Sequence, residues 1–312
     1  MGSIRDVVSL KPFSREQLDG ILDLAESFED IARGKKRSEL LAGKVLATLF
    51  YEPSTRTRLS FETAMLRLGG QVLSVADALQ TSSAWKGESL ADTVRTVQNY
   101  ADAIAIRHPE KWAAHNAAKY ASVPVLNAGD NANEHPTQGL LDLLTVRRER
   151  GSIDGQTIVM VGDNKHCRSN HSFADGLANY NARLVLVNPP ELALDREQIK
   201  EIEAKGRLAV GETTDLPEAL KQADVMYIVR IQKERYSDPA EYERMKGSYK
   251  VDRAMLEAAG PNISVMHPMP RVDELAPDVD DYPGACYFRQ SFNGVLIRMA
   301  LLALVLGKAQ LR

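Results

Sequence analysis

Val45-Leu46-Ala47-Thr48-Leu49-Phe50-Tyr51, running on into Glu52-Pro53-Ser54-Thr55-Arg56-Thr57-Arg58, is the stretch on which the fold of this chain turns. The part up to Tyr51 is almost wholly apolar, with β-branched and aromatic residues, and reads as a strand. Pro53 and the hydroxyl residues interrupt it, and over 58–68 apolar residues return at helical spacing. A strand that passes through a short polar loop into a helix is the repeating unit of a parallel α/β sheet. The same loop suits an anion, because backbone N–H groups at a helix start, hydroxyls and an arginine converge there. Taken alone, the run also fits plain N-capping by Ser54 or Thr55. It lacks the glycine-rich run and lysine of a nucleotide P-loop, so ATP is not implied.

The alternation continues on both sides. Upstream, Ser14 and Gln17 form a capping-box pattern ahead of Leu18, Ile21, Leu22, Ala25 and Phe28, which predicts an opening helix. Downstream, 104–107 and 123–126 read as strands, with helices over 90–100 and 139–148. A second series begins after Gly151, with strands at 157–161, 183–187, 225–229 and 263–266 and a helix over 196–204. The fold class is therefore α/β: two domains, each a parallel sheet flanked by helices, with a long C-terminal closing helix. The domains are expected at 1–149 and 150–288, joined near Arg150-Gly151-Ser152. The closing helix takes 289–312 and is assigned to pack back on the first domain. At 312 residues the chain is long enough for two separate cores.

Bulk chemistry excludes several classes. The formal net charge of -3 leaves no broad basic field for nucleic acid, so any anion site has to be a local gathering of Arg and Lys. No uninterrupted apolar run approaches the roughly 18 residues that span a bilayer, and 1–11 carry no secretory pattern; a cytoplasmic protein without a membrane partner is the expectation. Cys167 and Cys286 stand far apart in no metal-type spacing, which argues against a disulfide framework or a zinc site.

In open α/β sheets ligands bind beyond the carboxyl ends of strands. Arg230 and Gln232 follow the strand at 225–229 and stand in such a place. A guanidinium grips a carboxylate through two parallel hydrogen bonds, so Arg168 and Arg230 together suit a dicarboxylate, although an isolated Arg is as often ion-paired on the surface. Lys86, with Ser82 in the polar stretch 81–90, reads by itself as a solvated lysine on a loop. His135 alone reads as a buried structural histidine. Gln138 lies where a helix would return it to a similar face. Prolines in His267-Pro268-Met269-Pro270-Arg271 restrict the backbone and can turn carbonyls toward an amine.

Ser54-Thr55-Arg56-Thr57-Arg58 resembles the phosphate loop of the aspartate and ornithine carbamoyltransferases. The resemblance continues in order through Lys86-Gly87-Glu88, Arg107-His108-Pro109, His135-Pro136-Thr137-Gln138, Arg230-Ile231-Gln232-Lys233-Glu234-Arg235 and His267-Pro268-Met269-Pro270-Arg271. Each run is only suggestive; together and in register they are specific. The resemblance implies that Ser54, Thr55, Arg56 and Thr57 hold the phosphate of carbamoyl phosphate. Arg107, His135 and Thr57 would meet its carbonyl oxygen, and Gln138 its amino group. Ser82 and Lys86 would reach into the site of a neighbouring subunit, which implies a homotrimer. Arg168, Arg230, Gln232, Pro268 and Met269, with Lys86, would hold aspartate. The implied reaction is carbamoyl transfer from carbamoyl phosphate to L-aspartate, a step of pyrimidine biosynthesis, with no metal and no organic cofactor. The aspartate enzymes usually carry Leu at the place of Met269, and the ornithine enzymes a cysteine-containing version, so aspartate is favoured.

One segment departs from the pattern. After Val161-Gly162-Asp163 the aspartate enzymes usually continue Leu-Lys-Tyr-Gly-Arg-Thr-Val-His-Ser, whereas this chain reads Asn164-Lys165-His166-Cys167-Arg168-Ser169-Asn170-His171-Ser172. Compensated drift leaves aspartate transfer in place. A reshaped pocket centred on residues 166–170 would mean another amine or a reaction of N-carbamoyl-aspartate itself such as decarboxylation; a metabolite-binding protein without turnover is the remaining alternative. A Cys167 nucleophile has no identifiable orienting group.

Overall fold

A computed structural model describes residues 4–233, 238–260 and 262–311. The chain divides into two units, one built from the residues up to Leu141 together with those from Ser291 on, the other from Asp142–Gln290.

In the first unit, β1 (Val45–Phe50), β2 (Gln71–Ala76), β3 (Ala103–His108) and β4 (Val125–Asp130) form an all-parallel sheet in the order β2-β1-β3-β4. β1 and β3 are central and nearly continuous in apolar residues because helices cover both faces. Leu46, Ile104 and Val125 are fully buried; removing such a side chain from water contributes about 1.5–3 kcal/mol each. β4 would be an edge, but the N-terminal segment caps it: Val7 N donates to Val125 O at 3.0 Å, and Asn127 N to Val7 O at 2.9 Å. The opening helix, Arg15–Ser27, starts with the expected capping box between Ser14 and Gln17.

In the second unit, β5 (Thr157–Val161), β6 (Arg183–Val187), β7 (Ala209–Thr213), β8 (Val225–Ile228) and β9 (Ser264–Met266) pair in parallel in the order β7-β6-β5-β8-β9. Val159, Val161, Met226 and Val265 lie at its core.

Periodicity gives no sign of β2 and β7. Both are edge strands with exposed positions, so neither needs an apolar run. It is also silent on the helix Arg168–Leu177, whose buried positions are largely polar. The closing helix runs Tyr287–Val305. By length and composition it could cross a membrane, yet 72% of that window is buried inside the protein. Arg298, within it, is buried against the Phe61 ring of the first unit, 4.9 Å from its centroid.

Candidate active site

Strand order reverses at β1 and β3 in the first unit, since β2 lies on one side of β1 and β3 on the other. The carboxyl ends of such a strand pair are where open α/β sheets hold ligands. Register puts Arg107 opposite Phe50, and Tyr51 N donates to Arg107 O at 2.9 Å. The helix Thr55–Arg67 begins in this crevice, with Ser54 as an extended N-cap (φ -159°, ψ 105°) whose hydroxyl makes no bond to the helix end. That hydroxyl accepts from Arg107 Nη1 at 3.1 Å, and Arg107 Nε donates to Glu52 Oε2 at 3.2 Å. Plain capping by Ser54 is therefore not what the loop does. The N–H groups in the first turn of a helix, here those of Thr55, Arg56 and Thr57, point past its end, and its dipole is positive there. Arg56 and Thr55 are exposed beside it.

Thr57 is buried, and its Oγ1 lies 3.3 Å from His135 Nε2. On the other side of the ring, His135 Nδ1 is 3.5 Å from Thr137 Oγ1, which itself accepts from Arg298 Nη2 at 3.1 Å. The imidazole thus stands between two threonine hydroxyls, Thr57 on its Nε2 side and Thr137 on its Nδ1 side. The loop that delivers His135 is locked by buried Asp130. Its Oδ1 accepts from Asn127 Nδ2 at 3.1 Å and Glu134 N at 3.0 Å, its Oδ2 from Trp112 N at 2.9 Å and Asn133 Nδ2 at 3.0 Å. Gln138 follows in the first turn of the helix Pro136–Arg150, buried, its N donating to His135 O at 2.9 Å.

Ser82 and Lys86 stand apart from this cluster in their recorded bonding. Ser82 Oγ donates to Ala78 O at 2.6 Å and accepts from Ala84 N at 3.2 Å, capping the short turn Ser83–Lys86, and Lys86 is exposed at the end of that turn.

The second unit repeats the design at β5 and β8, with β6 on one side of β5 and β8 on the other. Gly162 sits at φ +114°, and a Cβ there would lie 2.3 Å from Val229 O, so only glycine lets the two strand ends approach. Arg168 is buried as the first residue of the helix Arg168–Leu177. Arg230 and Gln232 follow β8 half-buried, and Gln232 Nε2 reaches His166 O at 3.5 Å, joining the two loops. Glu234 and Arg235 of the same motif lie outside the described residues. Pro268 and Met269 follow β9 half-buried. His267 fixes their turn: its Nδ1 accepts from Met269 N at 2.7 Å, so its Nε2–H faces Glu274 Oε1 at 2.6 Å. His267 N donates to Gln290 Oε1 at 2.9 Å, Gln290 Nε2 to Asp142 Oδ1 at 2.7 Å, and Tyr227 OH to Asp142 Oδ2 at 2.9 Å. Arg271 is committed elsewhere, gripping Asp280 through both Nη atoms at 2.5 and 2.7 Å.

Several of the departures at 164–170 are engaged locally. His166 Nδ1 lies 3.1 Å from Asp163 Oδ1. Asn170 Nδ2 donates to Asn164 Oδ1 at 2.6 Å, so these two polar residues answer one another. Cys167 has φ -83°, a conformation that does not call for glycine, and burial pushes its thiol up to about 11, which keeps it protonated at neutral pH.

The supporting role of Asp130 has no mark in the sequence pattern, Thr137 lies within a motif that does not tell its part, and Arg298 leaves only a trace, as a lone cation within an otherwise apolar run. Asp130 sits in a loop whose composition looks like any turn.

Two parallel sheets, each with arginines beyond the carboxyl ends of its central strands, define the class as α/β. A family model described as the carbamoyl-phosphate-binding domain of aspartate/ornithine carbamoyltransferases matches residues 5–148, and the Asp/Orn-binding domain of the same family matches 154–305. The aspartate carbamoyltransferase catalytic subunit of Methanosarcina barkeri is 50% identical over 303 residues, 97% of each chain. That of Thermococcus gammatolerans is 52% identical over 303 residues, 97% of this chain and 98% of its own. Among solved structures, the catalytic subunit of M. jannaschii aspartate transcarbamoylase superposes with a TM-score of 0.89 at 48% identity, covering 97% of this chain and 98% of that one. Aspartate transcarbamoylase from Trypanosoma cruzi, in complex with carbamoyl phosphate and aspartate, gives 0.91 at 38% identity over 96% of both chains. The chain belongs to the aspartate/ornithine carbamoyltransferase family.

Proposed function

We propose that this chain transfers the carbamoyl group of carbamoyl phosphate to the amine of L-aspartate, releasing N-carbamoyl-L-aspartate and phosphate. The observation that carries the reading is the gathering, at one helix N-terminus, of Ser54 bonded to Arg107 and Thr57 facing His135. A phosphate seated on the first turn of Thr55–Arg67, with Arg56 beside it, points its carbamoyl group at these donors. Attack by the amine places negative charge on the carbonyl oxygen. Arg107, Thr57 and the Nε2–H of His135 stabilise that charge, and one such donor contributes on the order of 3 kcal/mol. Gln138 orients the carbamoyl amino group, and the tetrahedral species collapses with loss of phosphate. Arg168, Arg230 and Gln232 take the aspartate carboxylates, with Pro268 and Met269 beside the amine.

Compensation of the altered 164–170 segment favours aspartate over a changed partner, as do relatives named for aspartate at half identity along nearly the whole chain. Assembly as a homotrimer is part of the proposal, with Ser82 and Lys86 completing a neighbour's site. Leu59, Leu66, Leu73 and Leu79 are exposed on the first unit and offer the apolar cover such an interface needs. The proposed compartment is the cytoplasm, whose reducing conditions suit two buried free cysteines.

The test is to incubate purified protein with carbamoyl phosphate and aspartate, and separately with N-carbamoyl-aspartate alone, following all products by mass spectrometry. Carbamoyl-aspartate and phosphate in the first reaction are expected. No carbamoyl-aspartate at saturating substrates would overturn the reading, and a decarboxylated product in the second would replace it.

A further inference from the structure

The segment that carries Arg168 is closed at both ends by a buried side-chain bridge. Asn164 lies in the loop after β5 and Asn170 in the first turn of the following helix, both with no exposed surface. Asn170 Nδ2 donates to Asn164 Oδ1 at 2.6 Å, Asn164 Nδ2 to Asn188 Oδ1 at 2.8 Å, and Asn188 Nδ2 to Pro189 O at 3.0 Å. Three amides thus run head to tail from the helix through the loop to the end of β6. The chain begins at Asn170 Oδ1, which is buried with no hydrogen-bond partner among the described residues. A buried amide left half satisfied is costly, so Asn170 is held in place by its one bond to Asn164.

We infer that Asn164 and Asn170 are a mutually dependent pair of positioning residues, a clasp that sets the placement of Arg168 for the acceptor carboxylate. The inference rests on the acceptor role proposed for Arg168. Its consequence is a reversal of sign. In the native chain, Asn170→Val strips Asn164 Oδ1 of its donor and is harmful. In a chain already carrying Asn164→Leu, Asn170 is an amide stranded in an apolar setting, and Asn170→Val removes a burden. The bond from Asn164 to Asn188 is lost in the single N164L variant and in the double variant alike, and cancels from that comparison.

The experiment compares the full chain with N170V, N164L and N164L/N170V, reading melting temperature and both Michaelis constants. N170V alone is expected to lower the melting temperature by a few degrees and raise the aspartate KM roughly tenfold, with the carbamoyl phosphate KM within about twofold of native. In the N164L background the same change is expected to raise the melting temperature and lower the aspartate KM. If N164L does not fold, recovery of folded protein in the double variant is the same reversal. A double variant that is worse than N164L, or that does not fold, overturns the clasp. So does a parallel shift of both Michaelis constants, which would mark a merely structural role. The melting reversal is measurable whether or not the chain turns over, so absence of native transfer would defeat the proposed reaction separately from the pair.

Discussion

His135 Nε2 and Thr57 Oγ1 meet at 3.3 Å although 78 residues of chain separate them. The contact exists because the loops after β1 and β4 each deliver a helix start to the same end of one parallel sheet. Thr137, itself bonded to Arg298, stands on the other side of the ring, and His135 is the donor proposed for the carbonyl oxygen.

Removing that donor should slow chemistry more than it weakens binding. His135→Ala is expected to reduce kcat by two orders of magnitude or so, corresponding to about 3 kcal/mol, while inhibition by inorganic phosphate stays close to native. Steady-state kinetics with phosphate as competitor checks this, and native kcat in the variant would sink the assignment.

Shared sites predict complementation. Arg56→Ala and Lys86→Ala proteins, each inactive alone, should regain part of the native activity when mixed, dissociated and reassembled, because some sites then combine an intact Arg56 with a neighbour's intact Lys86. Mixed assemblies that stay inactive would confine each site to one subunit.

Cys167 should be chemically quiet. Burial holds its thiol up at about 11, so at pH 8 the folded protein should react with a thiol reagent only as fast as it opens, and Cys167→Ala should keep kcat within severalfold of native. Rapid modification coupled to loss of turnover would contradict this.

Glu274 gives a pH dependence with a definite sign. Burial works to raise its pKa, but hydrogen bonds from His267 and from backbone N–H groups outweigh burial and hold it below the ordinary 4.5. A carboxylate depressed on folding stabilises above its unfolded pKa and loses that contribution as pH falls through its folded value. Glu274→Gln should therefore cost about 2 kcal/mol at pH 7, with the gap narrowing below about pH 4.5. Urea unfolding of both proteins at pH 7, 4.5 and 3 would test it; a gap constant over that range would show that the charge is not what stabilises.

The central strands are legible from sequence because a strand covered on both faces must be almost wholly apolar, as 45–51, 158–161 and 184–187 are. The opening helix is legible through its capping box. The runs containing Ser54–Thr57, Lys86, Arg107, His135, Gln138, Arg230 and Gln232 stand out through a family resemblance that holds in order along the chain; by themselves Lys86 reads as a solvated lysine and His135 as a structural histidine. The edge strands β2 and β7 cannot, since an edge needs no unbroken apolar pattern, and neither can the all-round buried helix after Cys167.

What the sequence determined by itself is the order of βα units and the kinds of side chain brought to their loops, because local periodicity and turn chemistry act over a few residues. Which of those side chains touch was decided only by the tertiary structure. Sheet order brings Arg107 to Ser54 and Thr57 to His135, and packing brings Arg298 of an apolar helix to Thr137 beside that histidine. The same holds for Asn164 and Asn170: read along the chain they are two unrelated polar replacements, and folded they are one hydrogen bond, because only burial makes each amide depend on the other.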